Sequence, residues 1–261
     1  MFMVTRAPFE QRKKHIAEIV RQGKPFVVNE LAKKFNVSEM TIHRDLNKLQ
    51  EQGQIERIYG GAMPAEKMEF EFDFASRRTA NQKAKKAIAQ KALKFIQAGQ
   101  RIILDTGTTT LELAYLLKKF DNLTVITPSL AVASVLQFSS GIQTVLLGGI
   151  VRKGSPDLTG VVTEKVLDMF MVDIAFQGAD GIGLNGELFN SDMRIAKVDQ
   201  KMRRRAQKTY ILCDSSKIGK IEFASNGSLA EVNGLITDNR ISSEQLAALK
   251  KITNQIITVE I

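Results

Sequence analysis

The residues best suited to chemistry form one run: Asp105, Thr106, Gly107, Thr108, Thr109 and Thr110 follow directly on the apolar stretch Ile102, Ile103, Leu104. A strand that turns into a helix at such a run offers backbone N–H groups and hydroxyls to an anion such as phosphate. The Gly-Lys-Ser/Thr ending of a nucleotide-binding P-loop is absent, and taken alone the run is equally an ordinary capped turn. Three other strand ends add to it. Gly148 and Gly149 lead to Arg152 and Lys153; Gln177, Gly178, Ala179, Asp180 and Gly181 close the apolar stretch that begins at Val172; Asp214, Ser215, Ser216 and Lys217 close the one holding Cys213. From residue 81 onward apolar strand-like runs alternate with helical patterns, which argues for a mostly parallel, covered sheet. Ligands of such sheets bind beyond the carboxyl ends of the strands. On one edge, Lys217 and Arg152 can neutralise a phosphate, and Asp105 and Asp180 can accept hydrogen bonds from sugar hydroxyls.

Other chemistries find no support. His15 and His43 are the two histidines, so a Cys/His metal cluster is excluded, and serines of the larger region lack a histidine partner for a triad. No cofactor is implied. The single cysteine, Cys213, cannot form an internal disulfide and reads as core packing.

The elements that must carry this edge are expected as a helix over 81–98 with Ala84, Ala87, Ile88, Ala92 and Phe95 inward, ended by Gly99, and a helix over 111–119. Strands are expected at 101–105, 123–127, 144–147, 172–176, 209–214, 234–237 and 255–260. The basic run Lys201, Met202, Arg203, Arg204 and Arg205 follows a helical pattern and reads as a solvated face or subunit contact.

Residues 1–60 differ in kind. A first helix is expected over 9–21, with Ile16, Ile19 and Val20 on one face. Val28, Leu31, Ala32 and Phe35 mark a second short helix with Asn29 as its N-cap, and Asn36 suits a left-handed turn. Ser38 is a strong N-cap for a third helix that buries Ile42, Leu46 and Leu49. The opposite face carries Met40, Thr41, His43, Arg44, Asn47 and Lys48. Two capped short helices joined by a tight turn place the second in the DNA major groove, where arginine pairs with guanine and threonine or methionine touches a thymine methyl. Residues 54–61 read as a small wing that aims Arg57 at phosphate or the minor groove. The plain alternative is a small helical cap with a solvated face; the spacing favours the helix-turn-helix.

The run 26–62 resembles the DNA-binding signature of DeoR-type bacterial repressors, with His43 where that family usually carries an arginine. The larger region is similar to the effector-sensing domain of the same family, itself like ribose-5-phosphate isomerase in fold. The matching motifs are Asp105 to Thr110, Gly148 and Gly149 with Arg152, Gly160, Gly178 to Gly181, and Ser216 with Lys217. The chain departs from the family pattern at Thr127, Pro128 and Ser129 and in the helix over 194–206. The resemblance covers essentially the whole chain. It implies a repressor of a carbohydrate-utilisation operon that binds a double-stranded DNA operator and is released by a phosphorylated sugar effector. An alternative is a sugar-phosphate isomerase-like enzyme with an added DNA-binding-like domain, its general base drawn from Asp105, Asp180 or Glu187.

The fold class expected is therefore α/β: a winged helix-turn-helix over 1–62, a linker over 63–80, and a Rossmann-like, ribose-5-phosphate-isomerase-like domain over 81–261. Within the linker, acidic residues alternate with Phe70, Phe72 and Phe74, suggesting an extended segment docked by its apolar face. A chain of 261 residues with 44% hydrophobic content can build such cores, and a net charge of +9 favours an anionic partner. No apolar stretch is long enough for a membrane span, and no apolar run follows the basic N-terminus as in a signal peptide, so a cytoplasmic protein is expected. Two-fold related half-sites would call for a homo-oligomer, a dimer or tetramer.

Overall fold

The computed structural model describes residues 8–21, 28–51, 55–58, 61–63, 74, 76–253 and 255–261, and the chain divides into two compact units, residues 1–75 and 76–261.

In the first unit, helices α1 (Phe9–Arg21), α2 (Val28–Phe35) and α3 (Glu39–Glu51) precede a hairpin of β1 (Glu56–Ile58) and β2 (Gly61–Met63), in which Arg57 lies opposite Ala62. The apolar stripes meet in a core of Ile16, Leu31, Ala32, Ile42, Leu46, Leu49 and Ile55. Helix α2 ends where Asn36 adopts φ 52°, which lets the Val37 N–H reach back to the Ala32 carbonyl at 3.0 Å; the left-handed residue closes the last turn. Asn29, expected as the cap of α2, lies inside its first turn, because α2 begins at Val28, whose side chain packs on the core. Phe70 and Phe72 lie outside the described residues, as does most of the alternating segment around them; Phe74 is half-buried.

The second unit begins with a helical turn over 76–79 and then α4 (Gln82–Leu93). A seven-stranded sheet follows, built from β3 (Arg101–Leu104), β4 (Leu123–Thr127), β5 (Ile142–Leu146), β8 (Val172–Gln177), β11 (Ala206–Leu212), β13 (Gly234–Asp238) and β14 (Ile256–Val259), in the order β14-β13-β11-β8-β3-β4-β5 with every pairing parallel. The central strands are near-continuous apolar runs, as strands covered on both faces must be. Between them lie α5 (Thr108–Leu117), α6 (Leu130–Leu136), α7 (Val161–Leu167), α8 (Met193–Arg204) and α9 (Ser243–Lys250).

Several boundaries differ from the sequence expectation. Helix α4 stops at Leu93 rather than 98, and Phe95 instead packs on Tyr210 with ring centroids 4.6 Å apart. Helix α5 starts three residues early, so Thr108, Thr109 and Thr110 form its buried first turn rather than a loop. Strand β5 covers 142–146 and β11 covers 206–212. Two small sheets were not anticipated. One pairs β6 (Ile150–Val151) with β7 (Leu158–Thr159); the other has the order β12-β10-β9, from β9 (Gly181–Ile182), β10 (Glu187–Asn190) and β12 (Ala224–Ser228). Their strands are short, and β12 reads Ala-Ser-Asn-Gly-Ser, a composition that signals a turn.

The basic run at the end of α8 is not chiefly a solvated face. Lys201 pairs with Asp168 at 2.6 Å, Arg203 donates to Gln177 Oε1 at 3.1 Å and to the Asn226 carbonyl, and Arg205 donates to the Phe170 carbonyl at 2.9 Å. Arg204 is the exposed member. Cations otherwise bound for water here close the gap between α8 and its neighbours.

Candidate functional site

Helix α3 is positioned from below. Its buried face holds Ile42, Leu46 and Leu49, and among them Asp45. Asp45 Oδ2 accepts from Arg12 Nε at 2.6 Å and Oδ1 from Arg12 Nη2 at 3.0 Å, so a buried two-pronged ion pair locks α1 to α3. At its N-terminus the Ser38 hydroxyl accepts from the Thr41 N–H at 3.3 Å and shares a hydrogen bond with the Thr41 hydroxyl at 2.9 Å. The outward face carries Arg44, Asn47 and Lys48, all exposed, with His43 and Thr41 half-buried and Met40 71% exposed near the helix start. The Lys48 ammonium sits 4.9 Å from the centre of the Phe9 ring. Arg57 lies on β1 of the hairpin. One short helix thus presents donors and an apolar tip along a single face, a shape the major groove accepts.

The second unit has a cleft of about 140 Å³ at the carboxyl ends of its central strands. Of the residues picked out in the sequence, Asp105, Thr106, Gly107, Thr108, Thr109, Arg152, Asp180 and Lys217 line it. The turn is fixed by Thr110, whose hydroxyl donates to the carbonyls of Asp105 at 2.9 Å and Gly107 at 2.7 Å. Thr110 therefore shapes the loop without lining the cleft, and four glycines also stay outside it. Gly148 gives its carbonyl to the Thr163 hydroxyl at 2.6 Å, and Gly149, at φ 143°, leaves no room for a Cβ beside that hydroxyl. Gly160, at φ 96°, precedes α7, and Gly181 packs tightly on the Lys220 carbonyl. They let backbone segments approach each other, and the cleft walls stand on that frame.

Arg77, Asn81, Lys85, Asp157 and Asn190 also line the cleft and were not singled out from the sequence. The signal for Lys85 was present: Lys85, Ile88, Ala89 and Ala92 follow the buried stripe of α4. Lys85 Nζ donates to the carbonyls of Arg77 and, at 2.7 Å, Ala80. Glu187, a candidate base for isomerisation, is not among the lining residues.

Charge in the cleft is unevenly balanced. Burial raises the Asp105 carboxyl to about 6, helped by the nearby Asp157 and Asp180 charges and opposed by the N–H groups of Gly178 and Thr106. The Gly178 N–H donates to Asp105 Oδ2 at 2.8 Å, whereas Oδ1 of Asp105 and Oδ1 of Asp157 are buried with no hydrogen-bond partner among the described residues. For Asp180, burial pushes upward, but Arg77, the Ser191 N–H and hydroxyl, and Lys217 together outweigh it and hold the carboxyl below its usual range. Arg77 Nη1 meets Asp180 Oδ1 at 3.0 Å. Burial lowers the Lys85 ammonium, and Lys217 and Arg77 lower it further against the pull of Asp214. Arg152 is bound to Asp157 Oδ2 at 2.6 Å, so its charge is already engaged. The cleft therefore joins a cationic part at Arg77, Lys85 and Lys217 to unmet acceptors at Asp105 and Asp157. Such a pair of environments suits a ligand that is anionic at one end and rich in hydroxyl donors at the other.

Cys213 also lines the cleft; burial first, then the Asp214 charge, pushes its thiol up, which fits an inert packing role. Among the described residues no helix is long and apolar enough to cross a membrane, and no cluster of three or more His, Cys, Asp or Glu side chains is placed to hold a metal ion.

Comparison with known proteins finds a match for each of the two units. Residues 12–67 match the DeoR-like helix-turn-helix domain, and residues 80–239 match the DeoR C terminal sensor domain. An uncharacterized HTH-type transcriptional regulator, YulB of Bacillus subtilis, is 35% identical over 92% of this chain and 93% of its own. HTH-type transcriptional regulator GolR of Listeria innocua is 34% identical over 90% and 92%, and a putative aga operon transcriptional repressor of Escherichia coli O157:H7 is 30% identical over 95% and 93%. Among solved structures, ribose 5-phosphate isomerase A of Methanocaldococcus jannaschii matches 54% of this chain and 57% of that one, with 22% identity and a TM-score of 0.42. The relatives that match along nearly the full length are regulators, which favours the DNA-binding reading over the isomerase-like one. With the helix-turn-helix domain matched in one unit and the sensor domain in the other, the chain belongs to the DeoR family of DNA-binding transcriptional regulators.

Proposed function

We propose that the protein represses a carbohydrate-utilisation operon, holding a double-stranded DNA operator through α3 and the hairpin, and lets go when a phosphorylated sugar fills the cleft. The observation that carries this is the pairing, in one cleft, of the cations Arg77, Lys85 and Lys217 with the threonine turn and with the unmet acceptors of Asp105 and Asp157. The names of relatives point the same way: one is a putative aga operon repressor and another a glycerol-3-phosphate regulon repressor of Escherichia coli. In this reading the protein is a cytoplasmic homo-oligomer, a dimer or tetramer, that needs no cofactor and binds its effector without turning it over. Base contacts come from Met40, Thr41, His43, Arg44 and Asn47, while Ser38, Lys48 and Arg57 serve the DNA backbone.

The test is a thermal-shift screen of the purified protein against sugar phosphates, followed by titration of labelled operator DNA with each stabilising compound. A ligand that binds the native state raises the unfolding temperature. The effector should do so and also weaken operator binding, and in Lys217→Ala operator binding should persist while release disappears. Release by the effector that is unchanged in Lys217→Ala would falsify the phosphate assignment, and turnover of a stabilising compound would restore the isomerase reading.

A further inference from the structure

Residues 76–81 follow directly on residue 75, the last residue of the N-terminal unit. Most of what holds them in place is the cleft itself. Arg77 Nη1 is bound to Asp180 Oδ1 at 3.0 Å, Lys85 Nζ is bound to the carbonyls of Arg77 and Ala80, and Asn81 Nδ2 donates to Asp214 Oδ1 at 2.9 Å and Ser216 Oγ at 3.2 Å. Two anchors lie elsewhere: Arg78 is bound to the Tyr115 hydroxyl at 2.9 Å, and Asn81 Oδ1 accepts from Arg240 Nη2 at 3.4 Å. Asn81 itself is held at φ 50°, a left-handed conformation that needs such support.

The weak point of this arrangement is Lys85. Its residue is only 5% exposed, yet the acceptors bound by its ammonium are neutral backbone oxygens. Lys217 and Arg77 repel it, and Asp214 is the main charge that opposes them. A buried charge without full compensation is costly. A phosphate group entering the cleft is a better partner than a carbonyl, because its full negative charge attracts the buried ammonium directly, where a carbonyl offers only a dipole. Asp180 tolerates the loss of Arg77, since the Ser191 N–H and hydroxyl remain on its Oδ2 at 3.0 and 2.9 Å.

We propose that Lys85 is an anion-binding residue of the cleft, and that a bound phosphate draws the Lys85 ammonium off the carbonyls of Arg77 and Ala80, and the Arg77 guanidinium off Asp180, so that segment 76–81 is set free. Occupancy of the cleft is thereby passed to the stretch of chain that leads into the DNA-binding unit. This rests on the reading above that the cleft takes a phosphorylated ligand, and names the part of the chain that reports it.

Hydrogen exchange on the full-length protein, with and without inorganic phosphate, tests it. Amides at 105–110 should slow, and those at 76–81 should exchange about tenfold faster with phosphate present, as for a locally opened segment. Slowing at 105–110 with no change at 76–81 overturns the release of the segment and leaves the cleft reading standing; no change at either place overturns both. Lys85→Met gives a second arm, checked for folding by circular dichroism. Its segment 76–81 should exchange fast whether or not phosphate is added, and phosphate should slow 105–110 less than in the wild type. A Lys85→Met protein with wild-type exchange at both segments refutes the role of Lys85, and if the variant does not fold, the wild-type comparison alone decides.

Discussion

Asp45→Asn should abolish operator binding even though Asp45 lies on the buried face of α3. The residue is 2% exposed and its partner Arg12 is 5% exposed, and the two share hydrogen bonds of 2.6 and 3.0 Å. Breaking a buried ion pair by neutralising one partner takes the carboxylate counter-charge away from the other and costs about 3–5 kcal/mol. Among the described residues the core beneath holds seven buried apolar residues from Ile16 to Ile55, and a single core in a unit of 75 residues rarely supplies more than about 3–5 kcal/mol in total. The loss is therefore as large as the stability it is taken from, and the N-terminal unit should unfold while the sheet unit stays folded. Urea unfolding followed by far-ultraviolet circular dichroism should show an early transition at or near zero denaturant in Asp45→Asn, with the later transition unmoved and labelled operator DNA no longer bound. The paired replacement Arg12→Met with Asp45→Leu removes both charges together; such swaps are often neutral or stabilising by about 1–4 kcal/mol, so the early transition and DNA binding should return. An Asp45→Asn protein within about 1 kcal/mol of wild type, or a double variant as unstable as the single one, refutes the reasoning.

Arg44→Ala removes an exposed guanidinium from α3; it should cost about 1–3 kcal/mol on the preferred operator and flatten sequence preference, and equal weakening on all DNA would show a phosphate contact instead. Gly149→Ala would push a Cβ against the Thr163 hydroxyl and the Thr159 carbonyl at a φ of 143°; calorimetry should show the second unit destabilised by about 1–3 kcal/mol or more, and an unchanged midpoint would mean the backbone relaxes freely there. Asp105 sits at about 6 when folded, above about 3.9 for a free aspartate, so its contribution to stability is fully present below pH 4 and lost as pH rises through 6. Asp105→Asn should therefore stabilise the second unit by on the order of 3 kcal/mol at pH 7.5 and by little at pH 4; a gain equal at both pH values would exclude titration of Asp105 as its source.

The two architectures were legible because their periodicities are strong. Ile42, Leu46 and Leu49 mark a helical stripe, and Ile102 to Leu104 or Ile174 to Phe176 mark strands covered on both faces. What escaped was polar groups on apolar stripes. Asp45 lies at stripe spacing between Ile42 and Leu49, Arg12 precedes Ile16 by one turn, and Lys85 precedes Ile88 and Ala92; each belongs to the buried face by spacing, and hydropathy alone assigns it to solvent. The same error, applied to Arg203 and Arg205, made an internal clamp look like a surface. Threonines misled in the other direction: Thr108 to Thr110 have the composition of a loop, yet Gly107 at φ −67° and ψ 156° already caps α5, and the hydroxyl of Thr110 bonds backward to the turn. The glycines of the strand ends were visible as a group, but a sequence does not show whether a glycine faces a ligand or another backbone. Here Gly107 and Gly178 stand at the cleft, while Gly149 and Gly181 are pinned against Thr163 and Lys220.

Under the proposed function, the cleft's charges also determine which contacts can drive release. A ligand shifts an equilibrium only through interactions that differ between the two states. A swing from 1:99 to 99:1 needs about 10⁴-fold tighter binding to one state, about 5.5 kcal/mol. The turn from Asp105 to Thr109 is tied to α5 and to Gly178 by its own hydrogen bonds, so its contacts to a phosphate are the same in both states and contribute affinity alone. Lys85 and Arg77 are different, because each must leave an existing partner to reach the ligand. Hydrogen bonds to charged groups are worth about 1.5–3 kcal/mol each, and each exchange contributes only the excess of the new bond over the one given up, so the two together supply part of that swing. Affinity and release should therefore separate genetically. Substituting Thr109 should raise the effector concentration needed for release but leave its extent at saturation unchanged. Substituting Lys85 should reduce the extent of release however much effector is present.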